Sequence, residues 1–371
     1  MADTGLRRDD VTKGGFSMRK IDVALLGATG SVGQRYVSML AEHPYFRLRT
    51  LVGRSSAGKK YGEAVKWMLE GEVPAEIASM RVEEFSLDTL KDCGLIFSAL
   101  PSEAASSREV ELARIGKIVV SEASAHRMDQ DVPLLIPEVN PQHLLLLERQ
   151  RSGRKWDGGI VTTPNCTAVG LDIVLAPLVK LADVKLIVVN TMQAISGAGY
   201  LGVPSMSILE NVIPFVKDEE EKVVRETAKI LGRIEDGKIV NASMPMAVSC
   251  NRVSTIDGHL ESLLIEYERE VSADESIDAL SNFTGEPQKY GLPTAPSRPI
   301  IVRREQDRPQ PRIDRMQGSV PGMSVVVGRV RRGAAKKTLQ LTLLSHNTIR
   351  GAAGGAILTA ELMYARKLLQ N

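Results

Sequence analysis

Lys20-Ile-Asp-Val-Ala-Leu-Leu-Gly27-Ala-Thr-Gly30-Ser-Val-Gly33 is the stretch that decides the fold. Lys20 to Leu26 has the length and apolar composition of a buried strand. Gly27, Gly30 and Gly33 follow at once, and then a helical stretch from Gln34 to Glu42 that ends before Pro44. A strand that turns through glycines into a helix gathers backbone N–H groups and the positive helix end at one point. Glycine also lets a ligand approach the main chain, and a pyrophosphate suits such a turn. The spacing is GxxGxxG, not GxGxxG, and a tight strand–helix turn can carry glycines without any ligand. The position directly after a first strand favours nucleotide binding.

Working outward, a second strand spans Phe46 to Val52 and leads into Arg54-Ser55-Ser56-Ala-Gly-Lys59-Lys60. An acid at this point commonly serves the ribose diol of NAD, whereas a 2′-phosphate calls for cations and hydroxyls. With no acid before Glu63, the loop points to NADP; a solvated basic loop is the plain alternative. Leu95–Leu100, a helix from Glu103 to Arg114, and Lys117–Ala123 continue the alternation, which means a parallel sheet with helices on its faces. After a polar, Trp-containing stretch (149–159), Ile160–Thr163 is a further strand, broken by Pro164, and Val169 to Ala182 a helix. The pattern then changes. VKLIVVNTMQAIS (184–196) is a long strand, and Asp218–Leu231 a helix rich in Glu and Lys. Strands at 244–255 and 259–269 are separated by the turn signal Asp257-Gly258. Beyond a Pro-rich segment come strands at 324–332 and 338–346 and a Gly/Ala-rich terminal helix, His346 to Leu369. This second part reads as α+β with an antiparallel or mixed sheet.

A chain of 371 residues fits two domains. The net charge of +2, with basic residues scattered among acidic ones, and an aromatic content of 4 % offer nothing for nucleic acid or a membrane surface. No apolar run reaches the roughly 18–20 residues that span a bilayer. Three cysteines without paired spacing speak against a disulfide framework or a metal site, and a reducing compartment, the cytoplasm, is expected. Residues 1–17 are polar, precede Met18 and are expected to be a disordered extension.

Thr162-Thr-Pro-Asn-Cys166-Thr places a cysteine where a strand ends and a helix begins. The partial positive charge of a helix N-terminus favours the thiolate, and nearby amides can receive a developing oxyanion. Most cysteines are small buried hydrophobes; Cys93 and Cys250 fit that description, although Cys250 can approach the site. A base is needed near the sulfur. Of five histidines, His43 is expected to be exposed and His143 structural, while His126 and His346 sit in loops at the domain border. His259 follows the turn that resets strand parity and can face the same side as Arg252.

Taken together, GATGSVG, TPNCTAVGL, MQAISGAGYLGVPSM, NVIPFVKDEEEKV, CNRVSTIDGHLES, PIIVRREQDRPQPRIDR and HNTIRGAAGGA occur in the order expected of the aspartate-semialdehyde dehydrogenase family, archaeal and fungal type, and the chain resembles that family from about Lys20 to its end. The resemblance implies an α/β fold of the glyceraldehyde-3-phosphate dehydrogenase-like kind: a Rossmann-type NADP-binding domain (18–163 plus 347–371) and an α+β catalytic and dimerisation domain (164–346). It implies Cys166 as nucleophile, His259 as acid–base and Gln193 as the residue that orients the acyl intermediate. Arg252 would bind the substrate carboxylate, and Glu219 and Lys222, on one helix face, its amino group and phosphate, though such a pair is also a common surface salt bridge. Thr29 to Val32 (with Gly30 and Ser31), Ser98, Ser196, Gly197 and Asn347 resemble cofactor contacts. The implied reaction reduces L-4-aspartyl phosphate with NADPH, a step toward lysine, threonine and methionine, releases phosphate, and is run by a homodimer or homotetramer. Glu122 stands where the family pattern leads one to expect asparagine, which bears on the substrate. Malonyl-CoA reductase, on the same scaffold, is the nearest alternative; a nucleotide sensor would need neither nucleophile nor base.

Overall fold

The computed structural model describes residues 20–369; the expected extension, residues 1–17, lies outside them. The first sheet takes β1 (Ile21–Leu26), β2 (Phe46–Val52), β3 (Val82–Glu83), β4 (Leu95–Ser98), β5 (Ile118–Ser121) and β6 (Gly159–Thr162). Their order is β3-β2-β1-β4-β5-β6, and every pairing is parallel. Strands β1, β4, β5 and β6 are almost wholly apolar and buried, because helices α1 (Ser31–Leu40) and α2 (Ser102–Arg114) cover faces of the sheet, while β2 exposes Arg47 and Arg49. The order reverses between β1 and β4, so the crevice for a ligand opens at their carboxyl ends. Gly27 sits there, its N–H bonded to Val52 O, beside Ala99, whose N–H bonds Leu26 O.

Helix α3 (Leu146–Arg154) takes in most of the stretch expected to be merely polar. Its polar residues are anchors: Gln150 is buried and bonds both Ile160 N and O, and Arg154 grips Asp131. Helix α4 (Cys166–Leu178) follows β6 and is buried at every position after Cys166, as an apolar helix between layers must be. It packs on a second sheet of β7 (Val184–Gln193), β10 (Met246–Arg252), β11 (His259–Tyr267), β12 (Ile300–Val302), β13 (Val325–Arg332) and β14 (Thr338–Ser345), in the order β10-β7-β11-β14-β13-β12. A small hairpin, β8 (Arg233–Glu235) with β9 (Lys238–Val240), and helices α5 (Glu219–Ile230) and α6 (Ala273–Ser281) complete this part.

β10 runs parallel to β7 and β11 antiparallel to it, and the link through the Asp257-Gly258 turn crosses the end of β7 between them. Gly258 has φ +100°, which its position requires. The terminal helix is not continuous from His346. Residues 349–353 form a distorted turn with Ala352 at φ −154°, ψ −114°, and regular helix begins as α7 (Gly354–Ala365). Helix α7 returns to the first core, packing with Val37, Leu40 and Leu147. His43, expected to be exposed, is buried there: its Nε2 lies 2.7 Å from Glu361 of α7, and its Nδ1 accepts the Tyr45 and Phe46 N–H groups.

Candidate active site

At the glycine turn the three positions differ. A Cβ on Gly27 (φ +78°) would lie 2.6 Å from Ala99 O, and one on Gly33 2.3 Å from Gly27 O. Those glycines are needed for chain packing. Gly30 faces open space, its nearest neighbour being Gly27 O at 3.5 Å, and it begins α1 without a side-chain cap. The first N–H groups of α1 are therefore free for an anion, ringed by the partly exposed Thr29, Ser31 and Val32. Arg54, Ser55, Lys59 and Lys60 are exposed, and none of these cations pairs with a carboxylate among the described residues. Ser56 is buried, its hydroxyl turned onto Gly53, and Ser98 is buried beside the Glu109 carboxyl.

The second cluster forms where β10, β7 and β11 end together. Arg252 is in register with Gln193, and His259 opens β11 next to them. The Cys166 Sγ lies 3.3 Å from His259 Nε2. The main chain of Ala194 serves two side chains: its N–H donates to His259 Nδ1 at 3.1 Å, and its carbonyl accepts from Arg252 Nη1 at 2.7 Å. Gln193 Nε2 donates to Thr167 Oγ1 and to Glu219 Oε1. Arg252 is only 6 % exposed and has no carboxylate partner among the described residues, so a nearly buried guanidinium faces the sulfur's surroundings without a counter-ion. Lys222, half-buried and also unpaired, stands one turn along α5 from buried Glu219. Ser196 and Asn347 are joined, Asn347 Nδ2 to Ser196 Oγ at 2.8 Å, and Asn347 Oδ1 accepts the Gly258 N–H. Gly197 lies exposed over the pair, where a Cβ would come within 2.8 Å of Arg252 Nη1 and 3.2 Å of the His259 ring.

The helix end does not by itself give a thiolate. Burial pushes the Cys166 thiol up to about 12, with Glu219 adding to the rise; Arg127, Arg252 and the Thr167 amide pull the other way. Burial, then Arg252 and His346, holds the His259 imidazole down to about 3. Both shifts favour the neutral thiol and the neutral imidazole in the resting protein. Nor are most of the nearby amides free: Asn165 Oδ1 accepts the Thr167 and Ala168 N–H groups, and the Asn165 N–H donates to Glu226 Oε2 at 2.6 Å.

Asn165, Thr167, Ala194, Arg127 and Glu226 escaped the sequence reading. An asparagine just before a helix is an N-cap signal and was available. Glu226 continues the Glu219–Lys222 face by one more turn, and pairs with buried Arg127 at 3.0 Å. Lys229, on the same face, donates to the carbonyls of Arg127, Asp129 and Val132. Glu122 accepts from Tyr36 Oη and Thr163 Oγ1, tying α1 to the strand before Cys166. His126 pairs with Asp129, and Cys93 and Cys250 are buried.

Comparison with known proteins meets this geometry. The family model "Semialdehyde dehydrogenase, NAD binding domain" matches residues 22–147, and "Semialdehyde dehydrogenase, dimerisation domain" residues 175–350. An aspartate-semialdehyde dehydrogenase of Methanothermobacter thermautotrophicus is 49 % identical over 346 residues, 92 % of this chain and 99 % of that protein. The chain belongs to the aspartate-semialdehyde dehydrogenase family. Among solved structures, aspartate semialdehyde dehydrogenase with NADP from Candida albicans superposes with a TM-score of 0.86 at 36 % identity, covering 94 % of this chain and 100 % of that one. A malonyl CoA reductase (NADP) of Metallosphaera sedula is 43 % identical, covering 93 % and 97 %. Relatives of the chain thus carry two different names, aspartate-semialdehyde dehydrogenase and malonyl CoA reductase (NADP). No helix among the described residues is long and apolar enough to cross a membrane.

Proposed function

We propose that this family member is an aspartate-semialdehyde dehydrogenase: it reduces L-4-aspartyl phosphate with NADPH to L-aspartate 4-semialdehyde and phosphate, through a thioester on Cys166. The observation that carries the reading is the nearly buried, unpaired Arg252 beside the Cys166–His259 pair. A planar guanidinium in that setting calls for a carboxylate held bidentately. Glu219 distinguishes the substrates. The three bonds it accepts from Asn165, Thr167 and Gln193 all fall on Oε1, which leaves Oε2 for a cation. Aspartyl phosphate brings an ammonium; malonyl-CoA brings none. Lys222 supplies the charge for the phosphate, and Gln193 orients the acyl group.

The residues at the glycine turn fit a dinucleotide: Gly30 leaves room over free N–H groups, and Arg54 and Ser55 suit a 2′-phosphate. When bound, the nicotinamide supplies the hydride. Asn347 and Ser196, joined to each other and to the Gly258 amide next to His259, would hold its carboxamide end. The domains are proposed as 18–163 with 347–371, and 164–346. The outer face of the second sheet carries partly exposed Leu186, Val188, Met192, Leu260 and Leu264, in keeping with pairing of two copies. A cytoplasmic site is proposed from the reducing demand of a free catalytic thiol. Following NADPH oxidation with aspartyl phosphate and with malonyl-CoA tests the assignment. Turnover with the first alone is expected; turnover with malonyl-CoA alone would overturn it.

A further inference from the structure

Three segments far apart in the chain are locked together around His259. The carbonyls of Thr255 and Ile256 accept the Ile195 and Ser196 N–H groups, at 2.7 and 3.1 Å. Asn347 accepts the Gly258 N–H and donates to Ser196 Oγ, both at 2.8 Å. The Ala194 N–H reaches the His259 ring. Residues 194–196, 255–259 and 346–348 thus form one plate, with His259 set in it. Arg35 reaches this plate from α1. Its Nε donates to Thr348 Oγ1 and its Nη2 to Asp257 Oδ2, each at 3.1 Å, and Thr348 Oγ1 stands 3.5 Å from the other Asp257 oxygen. Thr348 and Asp257 are buried, and the Arg35 side chain is only 18 % exposed. An ion pair in open solvent is worth little. A mostly enclosed guanidinium that holds two partners from two segments fixes an orientation.

Arg35 lies one helical turn beyond Ser31, where the free N–H groups of α1 begin. A helix is stiff over one turn, so an anion seated on those amides is held at a set distance from the plate. On the NADP reading of the glycine turn, on which this inference rests, the dinucleotide would touch both ends of that span. Its pyrophosphate would sit at Gly30 and Ser31, and its carboxamide end at Asn347 and Ser196. We propose that Arg35 is a positioning residue: it sets the gap between the pyrophosphate turn and the His259 plate, so that a dinucleotide spanning the two finds them already in register with the Cys166 sulfur. Both arms of the guanidinium are taken by Thr348 and Asp257, so Arg35 serves the nucleotide without touching it. Without Arg35, α1 and the returning chain still share an apolar core through Val37, Leu40 and Ile349, but apolar contact gives no direction. The task of ordering the gap then falls to the nucleotide and is drawn from its binding free energy. Hydride transfer feels the same loss, because the reacting atoms must be held in a near-attack geometry.

Two probes separate this role from a direct contact with the nucleotide's phosphates. NADPH spans the gap; 2′-phospho-ADP-ribose, which lacks the nicotinamide, occupies only the glycine-turn side. By calorimetric titration of the full-length protein, Arg35→Ala is expected to raise the Kd for NADPH ~5-fold or more and to leave that for 2′-phospho-ADP-ribose within ~2-fold of the parent. In turnover with aspartyl phosphate, kcat is expected to fall ~10-fold or more with KM for that substrate little changed. An equal rise in Kd for both probes would make Arg35 a phosphate ligand and overturn the proposal, as would no change in either. Asp257→Ala is expected to repeat the pattern, and the double variant to lose no more than the worse single one; additive losses would contradict a shared tie. Arg35→Gln, which keeps a donor for Thr348 but no charge for Asp257, carries the same expectations should Arg35→Ala not fold. Failure of the parent protein to bind either probe would remove the NADP reading, and this inference with it.

Discussion

Two helices begin at the carboxyl edge of the same parallel sheet, and their first turns have opposite fates. Helix α1 starts at Gly30 with no side chain over its amides and open space above them. Helix α4 starts at Asn165, whose carboxamide takes two of its amides, with Glu226 taking a third. Both ends carry the same partial positive charge. The uncapped end can spend its amides on an incoming anion, and the capped end only that of Cys166. At α4 the ligand-facing groups are therefore side chains gathered from β10, β7, β11 and α5. An exposed helix end makes a binding site by itself; a capped and buried one makes a platform on which a nucleophile is fixed.

Substitutions that exchange these fates should show it, the largest effect first. Cys166→Ala is expected to lower kcat by at least ~10⁴-fold, read as phosphate-dependent NADPH formation from the semialdehyde, while NADPH binding stays near normal. Gly33→Ala would place a carbon 2.3 Å from a main-chain oxygen. A rise of ~100-fold or more in the Kd for NADPH is expected by fluorescence titration, with Cys166 alkylation little changed. Asn165→Ala strips the cap from α4. About 1 kcal/mol of stability is expected to go, seen as a fall of a few degrees in Tm, and kcat should drop ~10-fold or more as Glu219 loses one of its three partners. Arg54→Asp touches only the rim beyond α1. It should abolish a preference for NADPH over NADH worth ~10–100-fold and leave turnover with NADH intact.

How much of this was legible differs between the same two regions. The strand, glycines and helix around α1 are contiguous, so spacing alone marks the site, and the cation-rich loop lies one strand further on. The neighbourhood of α4 is assembled from segments far apart in sequence. The thiol's position at a strand–helix junction could be read, but not that burial outweighs the helix end. The face of α5 holding Glu219, Lys222, Glu226 and Lys229 reads as a solvated stripe, because a polar face is usually wet; here it meets the loop at 127–132 and the nucleophile. The Asp257-Gly258 turn could be read, but a local signal cannot show that a third strand runs between the two it joins. Ala194 acts through its main chain, for which an alanine in a sequence leaves no sign. His43 looked exposed beside Pro44 because its partner, Glu361, is near the other end of the chain.

The claim that the resting sulfur and imidazole are both neutral is most directly tested by the pH dependence of Cys166 alkylation with iodoacetamide, using Cys166→Ala to subtract other sites. With the thiol held far above its ordinary value, thiolate is gained steadily as pH rises, so the rate should climb about tenfold per unit from pH 6 to 9 without levelling. A rate that is already level below pH 7 would mean a standing thiolate–imidazolium pair, and would contradict the account.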